Sequence, residues 1–294
     1  MPAKRPNIIV ITTHDSGRHF GCYGIPTVRT PAIDQLAADG VRCTDYFCTV
    51  PICCASRASM MTGTYPQTHG LMDLCFPPFD WELRSEIPHL SQIMRQAGYR
   101  SLLFGMQHEV KQPQRLEYHE IRPCTTAYGR GNALDIANGL ASFLETEAAG
   151  VGPFFAQVGF FETHTPFDFG GAKPDTTLGV TVPPYLQPNE TAQKTCAALQ
   201  GALHQADQAI AVIRAALQRS GLEEDTILVY TTDHGVELPR AKWFLYDPGI
   251  AIALLWHWPG GGLKGGRICD WLTANVDFVP TLLELAGVAC PATV

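Results

Sequence analysis

Three short segments concentrate residue types that move protons, hold cations or attack electrophiles. They are Thr12-Thr13-His14-Asp15, Gly105-Met106-Gln107-His108-Glu109 and Thr231-Thr232-Asp233-His234-Gly235. Each follows a short apolar run, β-branched before the first and third segments. In an open parallel sheet, such strand ends converge on one rim, where ligands bind. Two Asp-His pairs delivered from two strand ends can offer carboxylate oxygens and imidazole nitrogens to one divalent cation. An Asp at a strand end can equally cap the helix or turn that follows, and for either pair alone the two readings weigh about the same. Both pairs together favour a metal. His164, in Phe161-Glu162-Thr163-His164-Thr165-Pro166, and His108 carry little weight singly, but both follow strands that end at the same rim.

The sharpest signal is the segment Pro51-Ile52-Cys53-Cys54-Ala55-Ser56-Arg57-Ala58-Ser59-Met60-Met61-Thr62-Gly63. It places Cys53 just before the start of a short helix and Arg57 one turn later. Unsatisfied N–H groups at a helix start, together with a cation, stabilise an anion or lower a thiol pKa. An anionic ligand is implied. The chain has ten cysteines, none in C-x-x-C spacing. With no export signal ahead of them, most read as small buried hydrophobes rather than a disulfide scaffold.

Holding these groups at one rim requires a sheet, and five runs read as buried strands: 7–13, 101–104, 154–161, 226–232 and 251–258. Helical patterns separate them. Thr30-Pro31 and Gly40 bracket one helix, and others are expected over 91–97, 134–149 and 191–219. This alternation predicts an α/β fold with a mostly parallel central sheet sandwiched by helices. No linker divides residues 1–294, which read as one catalytic domain. The glycine-rich stretch 258–266 lacks the order of a phosphate-binding loop.

Composition narrows the partners. The 294 residues are 46% hydrophobic and 17% charged, below the roughly 25% charged share common in globular chains. With 21 basic against 28 acidic residues, a net charge of −7 and no basic run, no nucleic-acid partner is expected. The longest apolar runs fall far short of the ~20 residues a bilayer crossing needs, so no membrane association is expected either. The N-terminal Met1-Pro2-Ala3-Lys4-Arg5 runs straight into a strand pattern without a cleavage site, which reads as cytoplasmic.

The order of these pieces resembles the type I sulfatases, formylglycine-dependent enzymes of the alkaline-phosphatase-like superfamily. Cys53-Cys54-Ala55-Ser56-Arg57 with Met61-Thr62-Gly63 is similar to the family signature. Asp15, Gly21-Cys22-Tyr23-Gly24, Thr30-Pro31, the segment 90–98 with Tyr99, His108, His164-Thr165-Pro166-Phe167, Thr232-Asp233-His234-Gly235, Lys242 and the segment 277–287 follow in the family's order over nearly the whole chain. The resemblance implies hydrolysis of sulfate esters or sulfamates, with Cys53 converted to formylglycine by a formylglycine-generating or anaerobic maturation enzyme. It implies a divalent metal, calcium in the family, held by His14, Asp15, Asp233 and His234. Arg57 would hold the modified side chain and its charge, and His108 would take the proton on sulfate release. His164 and Lys242 would hold sulfate oxygens, one of them protonating the leaving group. The substrate would be a small-molecule or saccharide sulfate, and cationic groups around a metal-activated nucleophile suit that chemistry.

Three residues depart from the pattern. His14 stands in place of an aspartate and softens the ligand set, which brings manganese into consideration beside calcium. Met106 stands where the family has a lysine, and Ala55 where it more commonly has a proline. The family continues past residue 294 with a C-terminal subdomain, so the chain reads as a fragment or a minimal form. Two alternatives stay open: a phosphonate or phosphate ester hydrolase of the same superfamily, and a truncated, non-catalytic anion-binding relict. Substrate choice is expected to lie in the loops 73–86, 110–130 and 170–188.

Overall fold

Every residue of the first strand, β1 (Asn7–Thr13), is buried, because both faces of the sheet it centres are covered. Ile9 and Ile11 enter one apolar core and Ile8 and Val10 the other, the alternation that a period of two demands. The computed structural model describes residues 5–122 and 132–294. Part of the expected 110–130 loop, and Cys124, lie outside that range.

The other described strands are β2 (Val41–Cys43), β3 (Tyr46–Phe47), β4 (Arg100–Gly105), β5 (Glu120–Arg122), β6 (Phe154–Gly159), β7 (Thr226–Thr232), β8 (Leu254–His257), β9 (Arg267–Cys269) and β10 (Thr273–Ala274). The helices are α1 (Pro31–Asp39), α2 (Cys53–Thr62), α3 (Pro66–His69), α4 (Leu90–Gln96), α5 (Ala133–Thr146), α6 (Glu190–Arg219), α7 (Asp247–Ile250) and α8 (Phe278–Leu285). Eight strands form the main sheet in the order β5-β4-β6-β1-β7-β8-β2-β9, and β10 pairs with β3. Residues of α1, α5 and α6 fill one core, while those of α2, α4 and α8 fill the other. The α/β sandwich expected from the alternation is therefore present.

β8 runs antiparallel to both β7 and β2, whereas the pairs from β5 through β7 are parallel. The physical reason is the connection. Instead of crossing a face in a long helix, residues 233–253 stay at the rim where β7 ends and re-enter the sheet from that side. The strand is also shorter than the expected 251–258, since Ile252 and Ala253 donate to Tyr46 and Gly17, which lie outside the main sheet. β6 stops at Gly159, short of Phe161, because the chain turns to follow the end of β1: Phe160 N donates to Thr12 O at 3.0 Å and His14 N to Glu162 O at 2.8 Å. These bonds bring the His164 segment against His14.

The helices begin and end close to their sequence signals. α6 starts at Asn189, whose side chain accepts from Ala192 N at 2.9 Å. α4 begins one residue before the expected 91, with His89 and Gln92 forming a capping box. Among the described cysteines, all are free thiols and six are buried. Cys290 is exposed and packs no core. No helix of the described residues is long and apolar enough to cross a membrane.

Candidate active site

Cys53 is the first residue of α2, with extended Ile52 as its N-cap. All ten residues of this helix are buried, so its free N–H groups lie in a low-dielectric setting where they count for more. Gly63 closes it with φ 66° and donates to Ser59 O at 2.9 Å, a left-handed stop that a side chain would disfavour. Asn275 Nδ2 donates to both Ser56 O and Ser56 Oγ at 3.0 Å. This ties the helix to the segment before α8 and fixes its first turn at the rim.

Around that turn, β1, β4, β6 and β7 deliver the expected groups. His14 Nδ1 lies 2.5 Å from Asp15 Oδ1 and 3.4 Å from Asp233 Oδ2. Asp233 accepts from Asp15 N at 2.9 Å and His234 N at 2.8 Å. Its other oxygen receives Arg57 Nε at 2.9 Å. Lys242 Nζ donates to Asp15 Oδ2 at 2.7 Å. His14 Nε2 is 3.4 Å from His108 Nδ1, and the His164 ring meets the His14 ring edge-on at 4.9 Å. All nine residues expected from the sequence thus converge. Asp15 and His108 sit at φ 46° and 110°, conformations that cost on the order of 1–3 kcal/mol each and concentrate at functional sites.

The cluster His14, Asp15, Asp233 and His234 brings one ligand atom from each residue within 4.8 Å of the others. All four are buried. His234 Nε2 stands 2.9 Å from Asp15 Oδ1, yet it is a buried nitrogen without hydrogen-bond geometry to any partner. A nitrogen left orphaned beside two carboxylates fits a divalent cation, which would satisfy it and offset their charge.

The electrostatics follow from burial among opposite charges. Burial opposes a charged imidazole, but the Asp233 and Asp15 carboxylates overcome it and push His234 up to about 10. His14 is raised against burial by the same two groups. Burial, with His14 and Arg57 nearby, drives His108 well below its ordinary value, which keeps its imidazole neutral. The neighbouring Cys54 thiol, then burial, push Cys53 up to about 12. As an unmodified thiol, Cys53 is therefore a poor nucleophile despite its helix position.

Two carboxylates without an expected role belong to the site. Glu237 Oε2 accepts from Thr165 N at 3.2 Å and Oγ1 at 2.7 Å, and lies 3.5 Å from Lys242 Nζ and 3.6 Å from His164 Nδ1. It links the two groups expected to hold a substrate anion. No motif marks it, and its spacing of five from Lys242 has no helical or strand meaning. Glu109 is fully buried and accepts from Gln157 Nε2 at 3.0 Å, while its Oε2 and Arg57 Nη2 lack partners. The signal for Glu109 was available, since it directly follows His108. Met106 has no replacement in Lys111, the next cation along the chain, which is paired with Asp80 at 2.7 Å.

Burial pushes the Glu109 carboxyl up to about 7 against the pull of Arg57. Its folded pKa therefore exceeds its unfolded one. The stability this gives is complete below pH ~4.5 and is lost as pH rises through about 7, roughly 3 kcal/mol in all. Glu109→Gln is expected to remove that dependence. Urea unfolding at pH 5 and pH 8 should show the wild type losing about 2–3 kcal/mol relative to the variant; parallel pH curves would contradict this account.

Comparison with known proteins agrees with this geometry. The human N-sulphoglucosamine sulphohydrolase is 26% identical over 316 residues, which cover 99% of this chain and 62% of the relative. This chain thus spans about three fifths of that relative's length. A protein solved with its substrate D-glucosamine-2-N,6-O-disulfate superposes with a TM-score of 0.76 at 19% identity, covering 98% of this chain and 78% of that one. The phosphonate monoester hydrolase of Agrobacterium radiobacter gives a TM-score of 0.77 at 19% identity, covering 97% and 74%. These structures share the alkaline-phosphatase-like fold expected from the sequence. The model of the Sulfatase family matches residues 6–288, a span that contains every residue of the cluster just described, and the chain belongs to that family.

Proposed function

We propose that this chain hydrolyses a sulfate ester or sulfamate, with formylglycine formed from Cys53 by a maturation enzyme. The observation that carries this reading is the placement of Cys53 Sγ within 4.8 Å of ring nitrogens of His14 and His108 at the start of a buried helix. Formylglycine supplies a hydrated aldehyde as nucleophile, and the divalent metal supplies positive charge beside it. Arg57 lies on the same helix face as Cys53, one turn on, and keeps an unpartnered Nη2 to offset charge at position 53. Lys242, its ammonium stabilised against burial by Asp15, and His164 hold the anion. Glu237 orients both. Neutral His108 accepts a proton.

Calcium is the metal of the family the chain resembles, while two imidazoles among four ligands add affinity for manganese. A saccharide sulfate is supported by the name of the human relative. Purified chain from a host that carries a maturation enzyme, stripped with chelator and reloaded with calcium or manganese, is expected to hydrolyse aryl sulfate faster than aryl phosphate or phenylphosphonate esters. Peptide mass at position 53 should give the aldehyde. Faster phosphonate turnover would assign the second hydrolase reading, and aldehyde without any turnover would assign an anion-binding role.

A further inference from the structure

Cys53, His14, Asp15, Asp233, His234 and Arg57 are buried, whereas His108, His164 and Glu237 reach the surface. Most groups expected to meet the substrate's anion are therefore covered, and His108, His164 and Glu237 mark the rim above them. Two segments at that rim expose large apolar side chains: Phe76, Phe79 and Trp81 in one, and Trp243, Phe244, Leu245 and Tyr246 in the other. Concentrations of this kind mark binding surfaces rather than ordinary exposure.

Both segments are tied to the site. The Phe76 ring lies 5.2 Å from the His108 ring at 69°, beside the end of β4. Trp243 directly follows Lys242, beyond the end of β7, and its N–H donates to Pro51 O at 3.0 Å, two residues before Cys53. The ends of β6 and β1 lie between them in the sheet order. Trp243 is held at φ 74°, a conformation a bulky residue adopts only when its surroundings impose it. It is nevertheless 48% exposed, and Phe76 38%. Neither aromatic is spent on the core.

The cations near these segments are held in different ways. Lys111 pairs with Asp80 and Glu82, Arg115 with Glu82, and Arg240 lies over the Tyr246 ring at 5.5 Å. The entrance thus offers aromatic faces, with the charges of Lys111 and Arg115 offset by carboxylates while Arg240 keeps its charge beside Tyr246. We propose that Phe76 and Trp243 are specificity-determining residues that hold the apolar face of a ring, so that the substrate is a sulfated ring compound bound through these two side chains. This inference rests on the sulfatase reading above and names its substrate class.

Binding of sulfonates, which present the anion but are not hydrolysed, tests the inference apart from turnover. Calorimetry on the full chain is expected to give benzenesulfonate or cyclohexanesulfonate about tenfold tighter binding than methanesulfonate, and which ring wins tells an arene from a saturated ring. Phe76→Leu and Trp243→Leu keep apolar surface but remove the aromatic face. Each should weaken the ring compounds about 3- to 10-fold and leave methanesulfonate unchanged. Equal affinity for all three sulfonates, or no effect of either variant, would overturn the proposal. Ring preference without sulfate-ester turnover would remove the hydrolase reading alone; turnover without ring preference would remove this one alone.

Discussion

Cys53→Ala is expected to abolish sulfate-ester turnover, by on the order of 10^4-fold or more, as removal of a covalent nucleophile does elsewhere. The neighbouring Cys54→Ala should keep activity within about tenfold. The contrast follows from where the two sulfurs sit. Cys53 Sγ is grouped with His14 and His108, whereas Cys54 Sγ lies 3.6 Å from Cys75 Sγ in the core beneath α2. Cys54→Ala therefore leaves a small cavity, costing about 1–2 kcal/mol of stability, and removes a thiol neighbour of position 53 while His14, His108 and Arg57 stay in place. Initial rates with aryl sulfate, read beside the mass of the peptide containing position 53, check both. Comparable activity in Cys53→Ala and wild type would sink the formylglycine mechanism, and an aldehyde at position 54 would reverse the assignment of the two cysteines.

How much of this site the sequence discloses depends on the kind of constraint behind each residue. His14, Asp15, Asp233 and His234 follow β1 and β7, whose unbroken apolar runs match buried neighbours along their whole length. The rim position of those four follows from strand direction alone. Arg57 and Cys53 are legible because helical spacing puts residues four apart on one face. β2, β5 and β9 have three residues each and owe their existence to pairing with distant partners such as Trp256, Leu103 and Cys43. Three residues carry no periodicity, so no local pattern announces them. The reversed direction of β8 is likewise a property of the rim segment before it. Glu237 gains its role only when that segment folds back and sets it beside Lys242 and His164. Phe76 meets His108 across 32 positions of sequence for the same reason.

Asp233→Asn is the substitution expected to cost the most stability, because this carboxylate sits where the cation cluster and the buried arginine meet. Its Oδ2 neutralises Arg57, a side chain only 1% exposed, and its Oδ1 accepts two backbone N–H groups. An amide oxygen can still accept those N–H groups, but it carries no charge to offset a guanidinium held away from water. Breaking one partner of a buried pair in this way typically costs 3–5 kcal/mol. Glu109, the other acid near Arg57, takes up part of the charge, which places the expected loss toward about 3 kcal/mol. The same substitution removes one of two carboxylates from the metal cluster, and affinity for calcium or manganese should fall by about 100-fold or more. Urea unfolding in excess chelator isolates the first effect, since no metal then contributes to the folded state. Calorimetric titration with metal isolates the second. Arg57→Met combined with Asp233→Asn discriminates further: it removes the orphaned charge and should recover most of the lost stability while leaving metal binding weak. If the double variant were as unstable as the single one, the Arg57–Asp233 pair would not be what Asp233→Asn breaks.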